Sequence, residues 1–297
     1  MTRLSPGWHR FLDNSNGLAF CYTVRGDPAA NKPMLVIQCP GWGIGPNYLI
    51  SGLQPLEESF LLVYFHPRGS AGSSRPVDPT QMSSFTMAAD LERFRQFLQI
   101  DQFPAMLGHS NGGTIVLAYA ELWPQRVAKI ILVGHRLLGF DDSERFMKFR
   151  EERRGDPRYE RAYAAAEKFR PTSDEGLADF VVSVAPIYFY DPEMHVPRYL
   201  RTLGDEPVSI WCMDRMRECD HHPRVDRVMI GGLPEVKAKT LMLFGRQDSQ
   251  CTRDNAFQTR DLGVEHARIE ILDRCGHYPW LEKPEETFSI IREFVEE

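Results

Sequence analysis

With 42% hydrophobic and 26% charged side chains over 297 residues, the chain has enough apolar surface for one large core or two small ones, and disorder is not expected. A formal net charge of -6 supplies no broad basic field for a phosphate backbone, and no window approaches the roughly 18 apolar residues of a membrane span, so neither nucleic acid nor membrane is an expected partner. Met1 to Asp13 has no apolar stretch long enough for a signal-peptide core, which predicts a cytoplasmic protein.

Along the chain, short apolar runs alternate with stretches of helical period. Leu18 to Val24 reads as a strand, Met34 to Cys39 as another that stops at Pro40-Gly41, and Leu61 to Phe65 as a third ending at His66-Pro67-Arg68-Gly69. Met87, Leu91, Phe94 and Leu98 recur at helical spacing and predict a helix over Phe85 to Leu98. Next come a strand at Ala105-Met106-Leu107, a turn from Gly108 to Gly112 and a helix through Ile115 to Trp123. Lys129 to Val133 and Thr240 to Phe244 read as further strands covered on both faces, Arg268 to Leu272 as one more strand, and Glu285 to Val295 as a closing helix. Strands separated by helices imply a parallel sheet with right-handed crossovers, hence an α/β fold.

Between Val133 and Thr240 the strand pattern gives way to a charged region rich in arginine and aromatic residues. A structureless loop of that length is improbable in a compact domain, so helices such as Tyr159 to Phe169 are expected to carry it as an inserted cap. Gly231-Gly232-Leu233-Pro234 marks the expected return, giving a core at 1–135 and 233–297 with a helical cap insertion at 136–232.

The strongest chemical signal is Gly108-His109-Ser110-Asn111-Gly112-Gly113. It matches the G-x-S-x-G nucleophile elbow, and it lies between a predicted strand and a predicted helix, as that motif requires. An ordinary glycine-rich turn is the competing reading, and the strand-turn-helix context argues against it. A serine hydroxyl needs an adjacent base, and of nine histidines His277 is the best placed: it follows the last strand, in the turn Cys275-Gly276-His277-Tyr278-Pro279. Asp248, just beyond Thr240 to Phe244, completes the chain order Ser, Asp, His and would orient the imidazole.

Oxyanion donors are expected from the backbone N–H groups of Trp42, in the Pro40-Gly41-Trp42-Gly43 turn, and of Asn111. Six cysteines without a CxxC pair indicate neither a zinc ribbon nor a disulfide framework; they are expected to be free thiols, and Cys39, Cys251 and Cys275 fall near the site loops. Cys219-Asp220-His221-His222 holds metal-ligand residue types without ligand spacing and reads as a surface loop. No metal or organic cofactor is required.

On these motifs the sequence resembles the α/β-hydrolase superfamily, and within it the proline iminopeptidase-like branch. The resemblance rests on GHSNGG, on His66-Pro67-Arg68-Gly69-Ser70-Ala71-Gly72-Ser73-Ser74 and on Gly276-His277-Tyr278-Pro279-Trp280-Leu281-Glu282-Lys283-Pro284. It implies an α/β-hydrolase fold: a mostly parallel central sheet flanked by helices, with an inserted helical cap. Three positions depart from the branch: Pro40 replaces the usual His of a His-Gly turn, His66 an acidic residue, and Asn111 a Trp or Met.

The expected function is a serine hydrolase that cleaves an ester, lactone or amide of a small, substantially apolar substrate through an acyl-serine intermediate. Two alternatives stay open. One is an aminopeptidase whose cap carboxylates (Asp191, Glu193, Asp205 and Glu206 are available) bind the substrate's amino terminus; the other is a non-hydrolytic receptor or cyclase on the same fold. Specificity is expected from the cap, with Tyr188 and Trp211 as substrate-binding residues drawn from Tyr188-Phe189-Tyr190 and Trp211-Cys212-Met213.

Overall fold

Leu61 to Phe65 is apolar at every position because both of its faces are covered. Leu61, Val63 and Phe65 pack into one layer, Leu62 and Tyr64 into the other, and all five are buried. The same alternation holds for Leu35, Val36 and Ile37 and for Ile130 to Val133, so one sheet divides two apolar layers. A computed structural model describes residues 3–168 and 170–297. Its sheet has eight strands: β1 (Gly7–Asp13), β2 (Leu18–Arg25), β3 (Met34–Gln38), β4 (Leu61–Phe65), β5 (Ala105–His109), β6 (Lys129–Val133), β7 (Lys239–Gly245) and β8 (Arg268–Leu272). They lie in the order β1-β2-β4-β3-β5-β6-β7-β8. The β1–β2 and β2–β4 pairs are antiparallel and every other pair is parallel. Only β1 escaped the sequence reading. Of its seven residues Phe11 alone is buried, so as an exposed edge it has no apolar run to announce it.

The core helices are α1 (Asn47–Gly52), α2 (Ser84–Leu98) and α3 (Asn111–Leu122). Six more, α4 (Ser143–Glu152), α5 (Pro157–Glu167), α6 (Asp174–Val184), α7 (Pro192–Leu203), α8 (Ile210–Asp220) and α9 (Pro223–Gly232), fill the interval between β6 and β7. The core closes with α10 (Asp254–Asp261), α11 (Pro279–Glu282) and α12 (Pro284–Glu296). Two adjustments to the sequence reading concern the inserted helices. Asp156, whose side chain accepts from Arg158 N, and Pro157 at the first turn start α5, which ends at Glu167; Phe169 lies outside the described residues. Cys219 and Asp220 are the last turn of α8 and not a surface loop, because the buried Asp220 carboxylate takes both N–H and O–H of Ser84 at 2.7 Å each.

The turn after β4 is bolted to α2 by a buried fork: Arg68 donates Nε to Asp90 Oδ2 (2.7 Å) and Nη2 to Oδ1 (2.6 Å). Breaking such a pair from one side typically costs about 3–5 kcal/mol, since it strands the other charge in the core. His66, the departure noted in that turn, is buried between Thr23 Oγ1 and the Ala71 carbonyl, and burial pulls it down to about 4, so it is neutral. Among the described residues no helix is long and apolar enough to cross a membrane.

Candidate active site

The β5–α3 junction leaves no room for a side chain at Gly108 or Gly112. A Cβ on Gly108 would stand 2.2 Å from the Gly112 carbonyl oxygen, and one on Gly112 would stand 2.4 Å from that of Gln38. Ser110 itself takes φ 56 and ψ -126, a backbone state that costs a non-glycine residue about 1–3 kcal/mol and persists only where the surroundings impose it. Here they do: Ser110 N donates to Val133 O (2.9 Å), while Gly113 N returns to Ser110 O (2.9 Å).

The turns after β7 and β8 bring Asp248 and His277 together. His277 Nδ1–H donates to Asp248 Oδ2 at 2.7 Å, with both residues buried. The other carboxylate oxygen accepts from Gln250 N (2.8 Å) and Cys251 N (3.1 Å), so the acid cannot rotate away. Behind them Gly134 (φ +51) comes so close that an added Cβ would meet Asp248 Oδ2 at 3.1 Å and His277 Nδ1 at 3.3 Å. With Nδ1 occupied as a donor, Nε2 is the ring's acceptor.

His109 has a supporting task that the sequence did not reveal. Its Nε2–H donates to the His277 carbonyl (2.8 Å), which fixes the tautomer, and Nδ1 accepts from the Tyr48 hydroxyl (3.0 Å). Burial, reinforced by the neighbouring His277, drives His109 well below the ordinary histidine range, so it stays neutral.

Asn111 ties the turn after β3 to the start of α3. Its Oδ1 accepts from Gly41 N (2.8 Å) and its Nδ2 donates to Ser84 Oγ (3.1 Å), which in turn donates to Asp220. The chain Gly41, Asn111, Ser84, Asp220 thus fixes the turn that carries Trp42 against the start of α3. Among the described residues, no protein acceptor takes the N–H of Trp42 or of Asn111. The glycines of that turn are needed for close packing: a Cβ on Gly41 would lie 2.5 Å from Met87 Sδ, and one on Gly43 (φ +73) 2.2 Å from Ser209 O.

The segment between β6 and β7 is part of this scaffold. Tyr188 O accepts from His277 N (2.7 Å), and Ile187 O accepts from Ser249 Oγ (3.0 Å), one residue beyond Asp248. Arg153, buried at the end of α4, donates to Ile187 O (3.1 Å), Ser249 Oγ (3.2 Å) and Gln247 O (3.0 Å), and so grips both neighbours of Asp248. Its guanidinium lies over the Tyr159 ring at 4.5 Å. Glu282 accepts from Gly276 N, Tyr190 N and Asp191 N; burial lifts it to about 7 against the pull of those donors.

A cavity of about 150 Å³ opens over Ser110 and His277. Trp42, Asn111 and Tyr188 line it. Trp211 does not: at the start of α8 it lies under the Arg75 guanidinium (5.0 Å to the ring) and against Gly69. Met216, Arg217 and Asp220, further along α8, face the cavity instead. Cys212 and Met213 pack internally. Of the cysteines near the loops only Cys251 reaches the cavity, with Sγ 4.0 Å from Ser110 Oγ, and burial, with Asp248 adding to it, keeps it a thiol. All six cysteines are free. The carboxylates Asp191, Glu193, Asp205 and Glu206 are not among the lining residues; Asp191 caps α7, and Glu206 accepts from Asn47 N (3.0 Å). Among the described residues no group of three or more potential ligands is arranged to hold a metal ion.

A family model described as the alpha/beta hydrolase fold matches residues 35–176. Monoacylglycerol lipase ABHD6 of Homo sapiens is 23% identical over 292 residues, covering 93% of this chain and 79% of its own. Two solved structures superpose with TM-scores of 0.70 each. The esterase from Exiguobacterium antarcticum is 20% identical, with 99% of this chain and 100% of that one covered; the enol-lactonase from Burkholderia xenovorans LB400 is 20% identical, with 95% and 98% covered.

Proposed function

We propose that this chain, which has the α/β-hydrolase fold, is a serine hydrolase that cleaves an ester or lactone of a small, largely apolar substrate. One observation carries the reading: the strained Ser110 and the buried His277–Asp248 pair open onto a single cavity. In this reading Ser110 Oγ attacks the carbonyl carbon while His277 Nε2 takes the hydroxyl proton. Asp248 stabilises the resulting imidazolium. The Trp42 and Asn111 N–H groups hold the oxyanion, a contribution of about 10²–10³ in rate for one such donor. Collapse breaks the bond to the leaving oxygen, which receives the proton from His277. A water molecule, deprotonated by the same nitrogen, then releases the acid and restores the serine.

The relatives named as lipase, esterase and lactonase support an oxygen leaving group. An aminopeptidase of the proline iminopeptidase-like branch needs a carboxylate for the ammonium group, and the four cap carboxylates are engaged elsewhere or lie off the cavity. The helices between β6 and β7 act in this reading as a cap, with Tyr188 as its contact to the substrate. A 4-nitrophenyl ester of a short acid should give a burst of one nitrophenolate per protein followed by steady turnover, and Ser110→Ala should abolish both. Turnover retained by Ser110→Ala would overturn the assignment.

A further inference from the structure

The cavity walls are apolar at Trp42, Ile44, Leu138, Tyr188 and Met216, yet two arginines also line it: Arg136, just after β6, and Arg217, on α8. The one carboxylate of the lining, Asp220, has its oxygens on Ser84. Asp141, which senses the Arg136 charge, is fully exposed and accepts from Ser143 N (2.9 Å). Neither arginine makes an ion pair within the described residues. In a chain of net charge -6, two cations at one apolar cavity are a local feature and not the expression of a general field.

The base of Arg136 is held on both sides. Its carbonyl accepts from Thr114 Oγ1 (2.8 Å), and the next residue, Leu137, donates its N–H to Asn255 Oδ1 (2.9 Å). The guanidinium is near enough to Cys251 to offset part of the burial that raises that thiol, and Cys251 Sγ is 4.0 Å from Ser110 Oγ. Arg136 and Arg217 are both exposed side chains in the wall of the cavity that holds Ser110, and with no ion pair among the described residues they are arranged for an anion that arrives with the substrate. Arginine's planar fork suits a carboxylate in particular.

Building on the serine hydrolase reading, we infer that the substrate carries a carboxylate in addition to its scissile ester or lactone, and that Arg136, with Arg217, binds it. The apolar walls take the intervening hydrocarbon. The two ends of a short molecule are then fixed, one on the guanidinium and one at Ser110, which places the carbonyl for attack.

The test compares mono-4-nitrophenyl glutarate with its methyl-capped ester, which has the same acyl chain without the charge. The native protein should prefer the charged ester at least tenfold in kcat/KM, and the preference should shrink as salt is added. Arg136→Gln should collapse the ratio by tenfold or more, and Arg136→Lys should keep part of it; melting curves check that both variants are folded. A native ratio of one or below, or a ratio untouched by Arg136→Gln combined with Arg217→Gln, overturns the proposal. Calorimetric binding of glutarate separates this proposal from the reading beneath it. If neither ester is turned over, the hydrolase reading fails, and the subsite is upheld by glutarate binding that weakens tenfold in Arg136→Gln, or overturned by its absence.

Discussion

Arg153→Ala should damage catalysis without touching the cavity. Arg153 is not among the cavity-lining residues, but its three donors hold Gln247 O, Ser249 Oγ and Ile187 O, and thereby the loop on both sides of Asp248. Hydrogen bonds from a charged donor are worth about 1.5–3 kcal/mol each when taken singly. The Ser249–Ile187 bond survives the substitution, and removing the cation also removes its burial penalty, so the net loss should be about 2–4 kcal/mol. Loosening Asp248 misplaces the imidazole, and a displacement near 1 Å at a reacting group can cost about 10²-fold. Steady-state kinetics on a short 4-nitrophenyl ester, normalised to sites titrated with a phosphonate, should show kcat reduced by roughly 10–100-fold with KM little changed. Arg153→Lys, which keeps the charge and loses the fork, should fall in between. A lowered melting temperature with full kcat per titrated site would show that Arg153 only stabilises the fold, and would refute the positioning argument.

Two further substitutions probe groups on α3. Glu121 is buried, neither carboxyl oxygen has a hydrogen-bond partner among the described residues, and burial pushes it up to about 9 from 4.5; the folded protein therefore keeps a proton that the unfolded chain releases, and stability should fall as pH rises from about 4.5 to about 9. The loss is at most about 6 kcal/mol, and Glu121→Gln should melt above the native protein at pH 8 with the gap closing by pH 5; pH-independent melting of the native protein would contradict this. Asn111→Ala removes the acceptor of Gly41 N and should lower kcat by about tenfold or more for a neutral ester as the Trp42 turn loosens, whereas an unchanged kcat would show that the turn holds itself.

What the sequence made legible is tied to local constraints. Gly108 is dictated by a turn whose crowding neighbour, Gly112, lies four residues on, and Leu61 to Phe65 announces a strand covered on both faces. The partners of Asp248 are a different matter. Arg153, Ile187 and Tyr188 reach the loops of Asp248 and His277 mainly through backbone carbonyls, which leave no trace in residue type, and across separations of 62 to 96 residues. Asn111 illustrates the same limit: its N–H follows from the motif, but its side-chain bond to Gly41 spans 70 residues. Trp211 lies off the cavity because aromatic content does not set helix register; from Ile210, the turn that meets the cavity begins at Met216. The strand β1 was illegible for the opposite reason, since an exposed edge gives little apolar alternation.

The central claim is that Ser110 is the nucleophile activated by His277 and Asp248, and the most direct measurement is peptide mapping after reaction with a fluorophosphonate. A single adduct should form on the peptide bearing Ser110, stoichiometric with loss of esterase activity, and labelling should be suppressed in His277→Ala and vanish in Ser110→Ala. An adduct on any other residue, or full activity in the protein labelled at Ser110, would contradict the account.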